Sequence, residues 1–207
     1  MHAKVYHGLG ASPPCGTFCS ARKLQPGPPV LRSKAHLYGF PKGSCEAKRL
    51  RPEHFEDIRM GNLLAERAAE AASIMQKLCR PYWIEQPEHA DGEPCMFLFE
   101  SFRKLVQGGA KFVHFDQCTY GAVATKPTTL LYQFCDAAWL EGRCDHTKVW
   151  MQGPSNQGVW RAHPPIVGAA ARGHGEWPTK ALQAYPGELN SCLAGVVAPP
   201  MLSDLTS

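Results

Sequence analysis

The groups in this chain best suited to chemistry are a thiol on a proline turn, a carboxylate at a strand end and a lysine beyond a third turn. Cys15 stands in Ala11-Ser12-Pro13-Pro14-Cys15-Gly16-Thr17-Phe18, directly after the apolar run Val5-Tyr6-His7-Gly8-Leu9. Proline fixes φ and carries no backbone donor, so the chain leaves a strand in a stiff turn and presents the thiol at the strand's carboxyl end. That edge is where open α/β sheets bind ligands. Seventy residues on, Glu85-Gln86-Pro87 closes a second short apolar run, and Tyr120-Gly121 precedes Lys126. A thiolate is a nucleophile and a carboxyl handles protons. Each also has a plainer reading: a thiol packed as a small hydrophobe, a strand end, a surface lysine. Asp116 and Cys118, at the end of another run, either line the same cleft or form its turn.

A second set offers metal chemistry. Cys135 and Cys144 are nine residues apart, His146 is two further on, and His163 and His174 follow. These are zinc-ligand types, without the tight Cys-x-x-Cys spacing of a zinc knuckle. On this reading the tail is zinc-stapled and the chain is a nucleic-acid-binding module without catalysis.

Charge points to the same class of partner. Between Ser20 and Arg51 lie Arg22, Lys23, Arg32, Lys34, Lys42, Lys48, Arg49 and Arg51 against Glu46 alone, whereas the whole chain carries only +4. A basic loop beside a nucleophile suits a polyanion; a solvated loop has the same composition. The nine cysteines are odd in number, and the N-terminus lacks the apolar core of a secretory signal. Both features favour reduced thiols in an intracellular protein. No apolar run approaches the roughly 18 residues of a membrane span.

The elements that must position these groups read as α/β. With 207 residues and 44% hydrophobic content the chain can bury a core, while 19 glycines and 18 prolines exceed the usual combined share of roughly 12% and imply much loop. A strand around Lys4 to Leu9 leads into the cysteine turn, and residues 18–52 form a long basic loop. Ile58, Leu64, Ala68, Ala71, Met75 and Leu78 recur at helical spacing, so a helix runs from about Glu53 toward Pro81, either broken at Gly61-Asn62 or starting there. Strands follow at Tyr82 to Ile84, Lys111 to Phe115 and Thr128 to Phe134, with a helix from Pro94 to Val106 stopped by Gly108-Gly109. Strands alternating with helices give an α/β sheet. Residues 1–142 form this catalytic-type region; residues 143–207 read as an irregular Gly/Pro-rich tail with a helix near 180–197.

Taken together, Pro13-Pro14-Cys15, Glu85-Gln86-Pro87 and Tyr120-Gly121 followed by Lys126 resemble the catalytic half of DNA cytosine-5 methyltransferases. In that family a Pro-Pro-Cys turn carries the nucleophile, a Glu-Asn-Val or Glu-Asn-Pro turn the acid, and Tyr-Gly with a Gln-x-Arg-x-Arg strand supports both. Here Gly16 stands for Gln, Cys19 for Ser and Gln86 for Asn. Ala124 stands for Gln, and Lys126 and Thr128 take the two Arg positions. The resemblance covers residues 4 to about 134 and implies a partial Rossmann-like sheet. It also implies S-adenosylmethionine as methyl donor with Pro13 and Pro14 beside it, and a catalytic set of Cys15, Glu85 and Lys126. DNA is the implied partner, with Arg22, Lys23, Arg32 and Lys34 on its phosphates. The family's donor-binding half precedes the cysteine turn and has no counterpart here. The expectation is therefore a chain truncated or inactive by itself. A partner chain supplying that half, a fragment of a longer gene, and a degenerate mobile-element or phage enzyme each account for it; the last two are favoured.

Overall fold

The computed structural model describes residues 6–18, 20–23, 28–122, 124–147, 149–152, 158–161, 163 and 185–198. Its centre is a four-stranded mixed sheet built from β1 (Leu9–Ala11), β2 (Tyr82–Pro87), β3 (Lys111–Asp116) and β4 (Pro127–Gln133) in the order β1-β2-β4-β3. β1 runs parallel to β2, and β4 is antiparallel to both β2 and β3. Three strands thus share a direction, and β4 is inserted against them. Among the described residues the helices are α1 (Pro52–Lys77), α2 (Glu100–Gln107) and α3 (Gly187–Val197), and the remaining strands β5 (Val149–Gln152) and β6 (Gly158–Arg161) form a separate antiparallel pair.

Alternation along the strands divides the core in two. Tyr82 and Ile84 of β2 and Leu131 of β4 face one side, where they meet Ala65, Ala68, Ala69, Ala72 and Met75 of α1 and Phe102 and Leu105 of α2. Leu130 and Tyr132 of β4, with Val113 and Phe115 of β3, face the other side and pack on Leu189, Leu193 and Val196 of α3. The period of two on a pleated strand produces this division. The helix expected near 180–197 is α3, which closes the second face of the sheet; residues 180–184 lie outside the described residues. The first strand falls at Leu9–Ala11, later than the expected Lys4 to Leu9, of which residues 4 and 5 also lie outside the description.

α1 is one unbroken helix. Pro52 takes its first turn, where a missing N–H costs nothing, and the Arg51 backbone N–H donates to His54 Nδ1 at 3.0 Å. Its buried face is Ile58, Gly61, Ala65, Ala68, Ala72 and Met75, about one residue round from the face that the largest side chains mark. Leu64 and Leu78 are exposed, the latter at 58%. Gly61 explains the shift: a Cβ there would stand 2.8 Å from Thr17 Oγ1 and 3.1 Å from an Arg32 guanidinium nitrogen. The small residues let the loop and sheet approach the helix closely, and the glycine that reads as a break in sequence is a contact point. The expected helix from Pro94 divides into a 3-10 turn at Met96–Leu98 and α2.

Candidate active site at the carboxyl edge of the sheet

Strand register assembles the site. Leu9 pairs with Tyr82 and Ala11 with Ile84, so the next residues along the two parallel strands, Ser12 and Glu85, emerge side by side. Ser12 Oγ donates to Glu85 Oε2 at 2.5 Å. One step further, Gln86 Nε2 donates to the Pro13 carbonyl at 2.6 Å, which ties the Pro-Pro-Cys turn to the end of β2. Proximity over seventy residues of sequence thus comes from a parallel ladder and the α1 crossover.

Glu85 is 3% exposed. Its Oε2 also accepts from the Tyr185 phenol at 2.7 Å, whereas Oε1 is buried with no hydrogen-bond partner among the described residues. A buried polar atom left unpaired costs about 1 to 3 kcal/mol, so this oxygen is where a ligand's donor would be stabilised. Burial first, then the Glu85 carboxylate and with it Cys15, push the Tyr185 phenol above its ordinary range, while Ser12 pulls it down. Tyr185 accordingly stays a donor to Glu85. Cys15 itself is half-buried.

Lys126 reaches the site through that ring, with Nζ 5.3 Å from the Tyr185 centroid. Its φ of +39° is in the left-handed region, disfavoured for a lysine and more so before Pro127; strain of this kind costs on the order of 1 to 3 kcal/mol. The Lys126 carbonyl accepts from the Gln117 N–H at 3.3 Å and from Thr128 Oγ1 at 3.0 Å. Those bonds hold the strained residue at the start of β4. Thr128 also accepts from Gln117 Nε2 at 3.1 Å and is buried, as is Ala124. Gly121, at φ +89°, ends the 3-10 turn Gln117–Tyr120. That backbone conformation suits glycine, which is what the Tyr-Gly pair contributes.

The structure therefore brings Cys15, Glu85 and Lys126 to one edge. Pro13 and Pro14 belong to the same turn, but neither has a backbone N–H, and the Pro13 carbonyl is taken by Gln86. Neither proline donates to a nucleoside, so the pair does not fit a grip on S-adenosylmethionine and serves to set the cysteine turn.

The basic loop divides. Lys34 is exposed, and Lys23, also exposed, forms an ion pair with Glu93 at 2.5 Å. Arg22 donates to the carbonyls of Gly16 at 2.5 Å and Pro29 at 3.0 Å. Arg32 is not on the surface: it is 1% exposed and donates to Leu37 O, Asn62 Oδ1, Thr17 Oγ1 and Ile58 O. Its guanidinium lies 4.0 Å above the Phe18 ring, and burial, helped by Arg22, lowers its pKa to about 10. The expected phosphate contact by Arg32 is thus corrected. A residue with five fixed donors staples the cysteine turn to α1 through Thr17.

The expected zinc ligands also divide. Cys135 bonds the carbonyls of Tyr82 and Gln133 away from the others, and His174 lies outside the described residues. Cys144, His146 and His163 do converge, joined by Cys118 instead. Burial and the neighbouring Cys144 push the Cys118 thiol up. Sequence reading missed Ser12 and Tyr185 at the carboxylate and Cys118 as a ligand-type neighbour. Only Cys118 carried a signal, its place at a strand end. Comparison of the chain with protein-family models, with curated proteins and with solved structures found no match.

Proposed function

We propose that this edge is the base-handling half of a DNA cytosine-5 methyltransferase-like site on a partial Rossmann-like sheet. The observation that carries the reading is the parallel register that sets the Pro13-Pro14-Cys15 turn against Glu85, with one buried carboxylate oxygen unpaired. Cytosine C6 is a poor electrophile until the ring is polarised. A proton shared between Glu85 and ring N3 draws charge toward N3 while the Cys15 thiolate adds to C6: the Sγ–C6 bond forms and the C5–C6 π pair moves toward C5. C5 is then nucleophilic. C5 takes a proton from solvent, a deuteron in D2O; reversal then removes the original C5 proton, breaks the Sγ–C6 bond and returns the pair to the ring.

S-adenosylmethionine would supply the methyl electrophile, and Pro13 and Pro14 offer it no N–H donor, so this reading assigns the edge base activation and no transfer step. Lys126, through Tyr185, adds positive charge near the thiolate. The target base leaves the stack at a cost of a few kcal/mol, and exposed Lys23 and Lys34 with Arg22 engage phosphates. The setting implied is intracellular, nuclear in a eukaryote. No helix among the described residues is long and apolar enough to cross a membrane.

The test needs no methyl donor. The chain is incubated with a short single-stranded cytosine oligonucleotide in D2O, and deuterium at C5 is read by mass spectrometry. Exchange that disappears in Cys15→Ala and falls about 10²-fold or more in Glu85→Gln is expected. Oligonucleotide binding without exchange would leave a non-catalytic binding module, the second class that the sequence suggests, and would sink the proposal.

A further inference from the structure

We infer that Cys118, Cys144, His146 and His163 form a structural zinc site that clamps the β5–β6 hairpin onto the end of β3. The four ligand atoms all lie within 4.8 Å of one another. Cys144 Sγ stands 3.2 Å from His163 Nε2 and 3.5 Å from His146 Nδ1, and the two imidazoles meet edge to face at 4.7 Å between centroids. Zn–S bonds of about 2.3 Å and Zn–N bonds of about 2.0 Å at tetrahedral angles put ligand atoms roughly 3.3 to 3.8 Å apart. The cluster needs only a small contraction at its longest edge to match.

Two thiolates and two imidazoles are the soft and borderline donors that select zinc in a tetrahedral field. Four protein ligands close the shell and leave no position for water or substrate, so the ion is structural. Two thiolates also neutralise a divalent ion, which keeps the centre free of net charge. The supporting shell is present: Cys144 N–H donates to Asp116 Oδ2 at 2.8 Å, and Asp116 is buried at the end of β3.

Placement gives the ion its role. His146 lies just before β5 (Val149–Gln152), and His163 just after β6 (Gly158–Arg161). The two histidines therefore hold the base of a hairpin that pairs only with itself among the described residues. An isolated two-stranded hairpin is marginal in water. Cys118, in the 3-10 turn after β3, connects that base to the sheet, and metal binding of this type is coupled to folding. This inference is independent of the methyltransferase-like reading.

The full chain is purified from medium without added zinc, dialysed, and its metal measured by atomic emission, with a parallel Co2+-loaded sample for absorption spectroscopy. About one zinc per chain, and a cobalt spectrum of tetrahedral geometry with thiolate charge transfer, are expected. Cys144→Ser is expected to lose the zinc, whereas Cys45→Ser and Cys79→Ser, at exposed cysteines elsewhere, keep it. If Cys144→Ser does not fold, alkylation of the wild-type chain decides: zinc protects Cys118 and Cys144, and a chelator exposes both. Folded wild-type chain that retains no zinc after loading, zinc content unchanged in Cys144→Ser, or a Cys118–Cys144 disulfide as the folded form would each overturn the assignment.

Discussion

Two thiol-bearing regions share one edge of the sheet and are built in opposite ways. Around Cys15 and Glu85, position comes from a β ladder: β1 and β2 lie parallel, and Ser12 and Gln86 fasten one loop to the other. Around Cys118 and Cys144, position comes from loops, and the side chains that converge are the groups a cation would hold. The first region leaves a buried oxygen waiting for a donor; the second turns its donors on itself. A site set by register exists without its ligand, whereas a site set by loops depends on the ligand for its shape.

Removing metal is the largest way to break that contrast. At about 100 times Kd, a bound ion contributes roughly 2.7 kcal/mol, and a chain of this size shifts by about 2 to 4 °C per kcal/mol. Chelation is therefore expected to lower the thermal midpoint by about 5 to 10 °C in scanning calorimetry, while the alkylation rate of Cys15 stays within about twofold. A Cys15 rate that changes in step with the metal would show that the regions are one.

Next in size is the support beneath the cysteine turn. Arg32→Met strands Thr17 Oγ1, Asn62 Oδ1 and two carbonyls, at a cost of about 2 kcal/mol in urea unfolding. DNA affinity in the folded fraction should keep its salt dependence. Lys34→Ala, on the surface, is expected to do the reverse: stability within about 0.5 kcal/mol and a salt slope for DNA binding smaller by about 1. Equal effects of the two variants on the slope would return Arg32 to the phosphate interface.

How far these regions are legible in sequence follows from how each is built. Alternation and helical spacing locate β2, β3, β4 and α1, because burial on a pleat or a helix face repeats along the chain. The proline turn and the end of β2, which Ser12 and Gln86 join, are each visible in sequence, since proline and strand ends are local signals. Arg32 misleads because its burial depends on Gly61 and Thr17, and a cation inside a basic, loop-like stretch looks like its neighbours. The side of α1 that is buried misleads for the same reason, with alanines inside and Leu78 outside. Cys118 takes the place of Cys135 because the ligand set is made by folding over 26 residues to Cys144, with no fixed spacing to mark it. Tyr185 comes from beyond residues 164–184, and nothing near it in sequence points to a carboxylate a hundred residues earlier.

Tyr185→Phe sharpens the contrast from the first side. It deletes the donor to Glu85 Oε2, and a hydrogen bond to a charged group is worth about 1.5 kcal/mol or somewhat more. Zinc content should not change. Because burial and Glu85 raise the phenol above its ordinary range, the folded state holds a proton that the unfolded state loses near pH 10. The contribution is thus complete below about pH 10 and is lost as pH rises beyond it. Wild-type stability should fall along that alkaline limb more steeply than that of Tyr185→Phe.

The smallest effect lies where the regions touch. Arg143 pairs with Glu88 through both oxygens at 2.5 and 2.7 Å and with Asp116 at 3.7 Å; Glu88 continues from Glu85, and Asp116 holds Cys144. The Arg143 guanidinium, the largest cause, keeps the Glu88 carboxyl below its usual range despite some burial. Its contribution is therefore present above the ordinary carboxylate pKa and fades as pH falls through the folded one. The pair is partly exposed, Arg143 more than Glu88, so Arg143→Gln should cost less than about 1 kcal/mol and flatten part of the acid limb. At the metal the loss is at most about fivefold in zinc Kd, carried by a looser Asp116. C5 exchange should be unchanged, because Glu85 is held by Ser12 and Tyr185 rather than by this bridge. Loss of exchange in Arg143→Gln would place the carboxylate under the control of the loop region, and the division between ladder and loop would no longer describe the site.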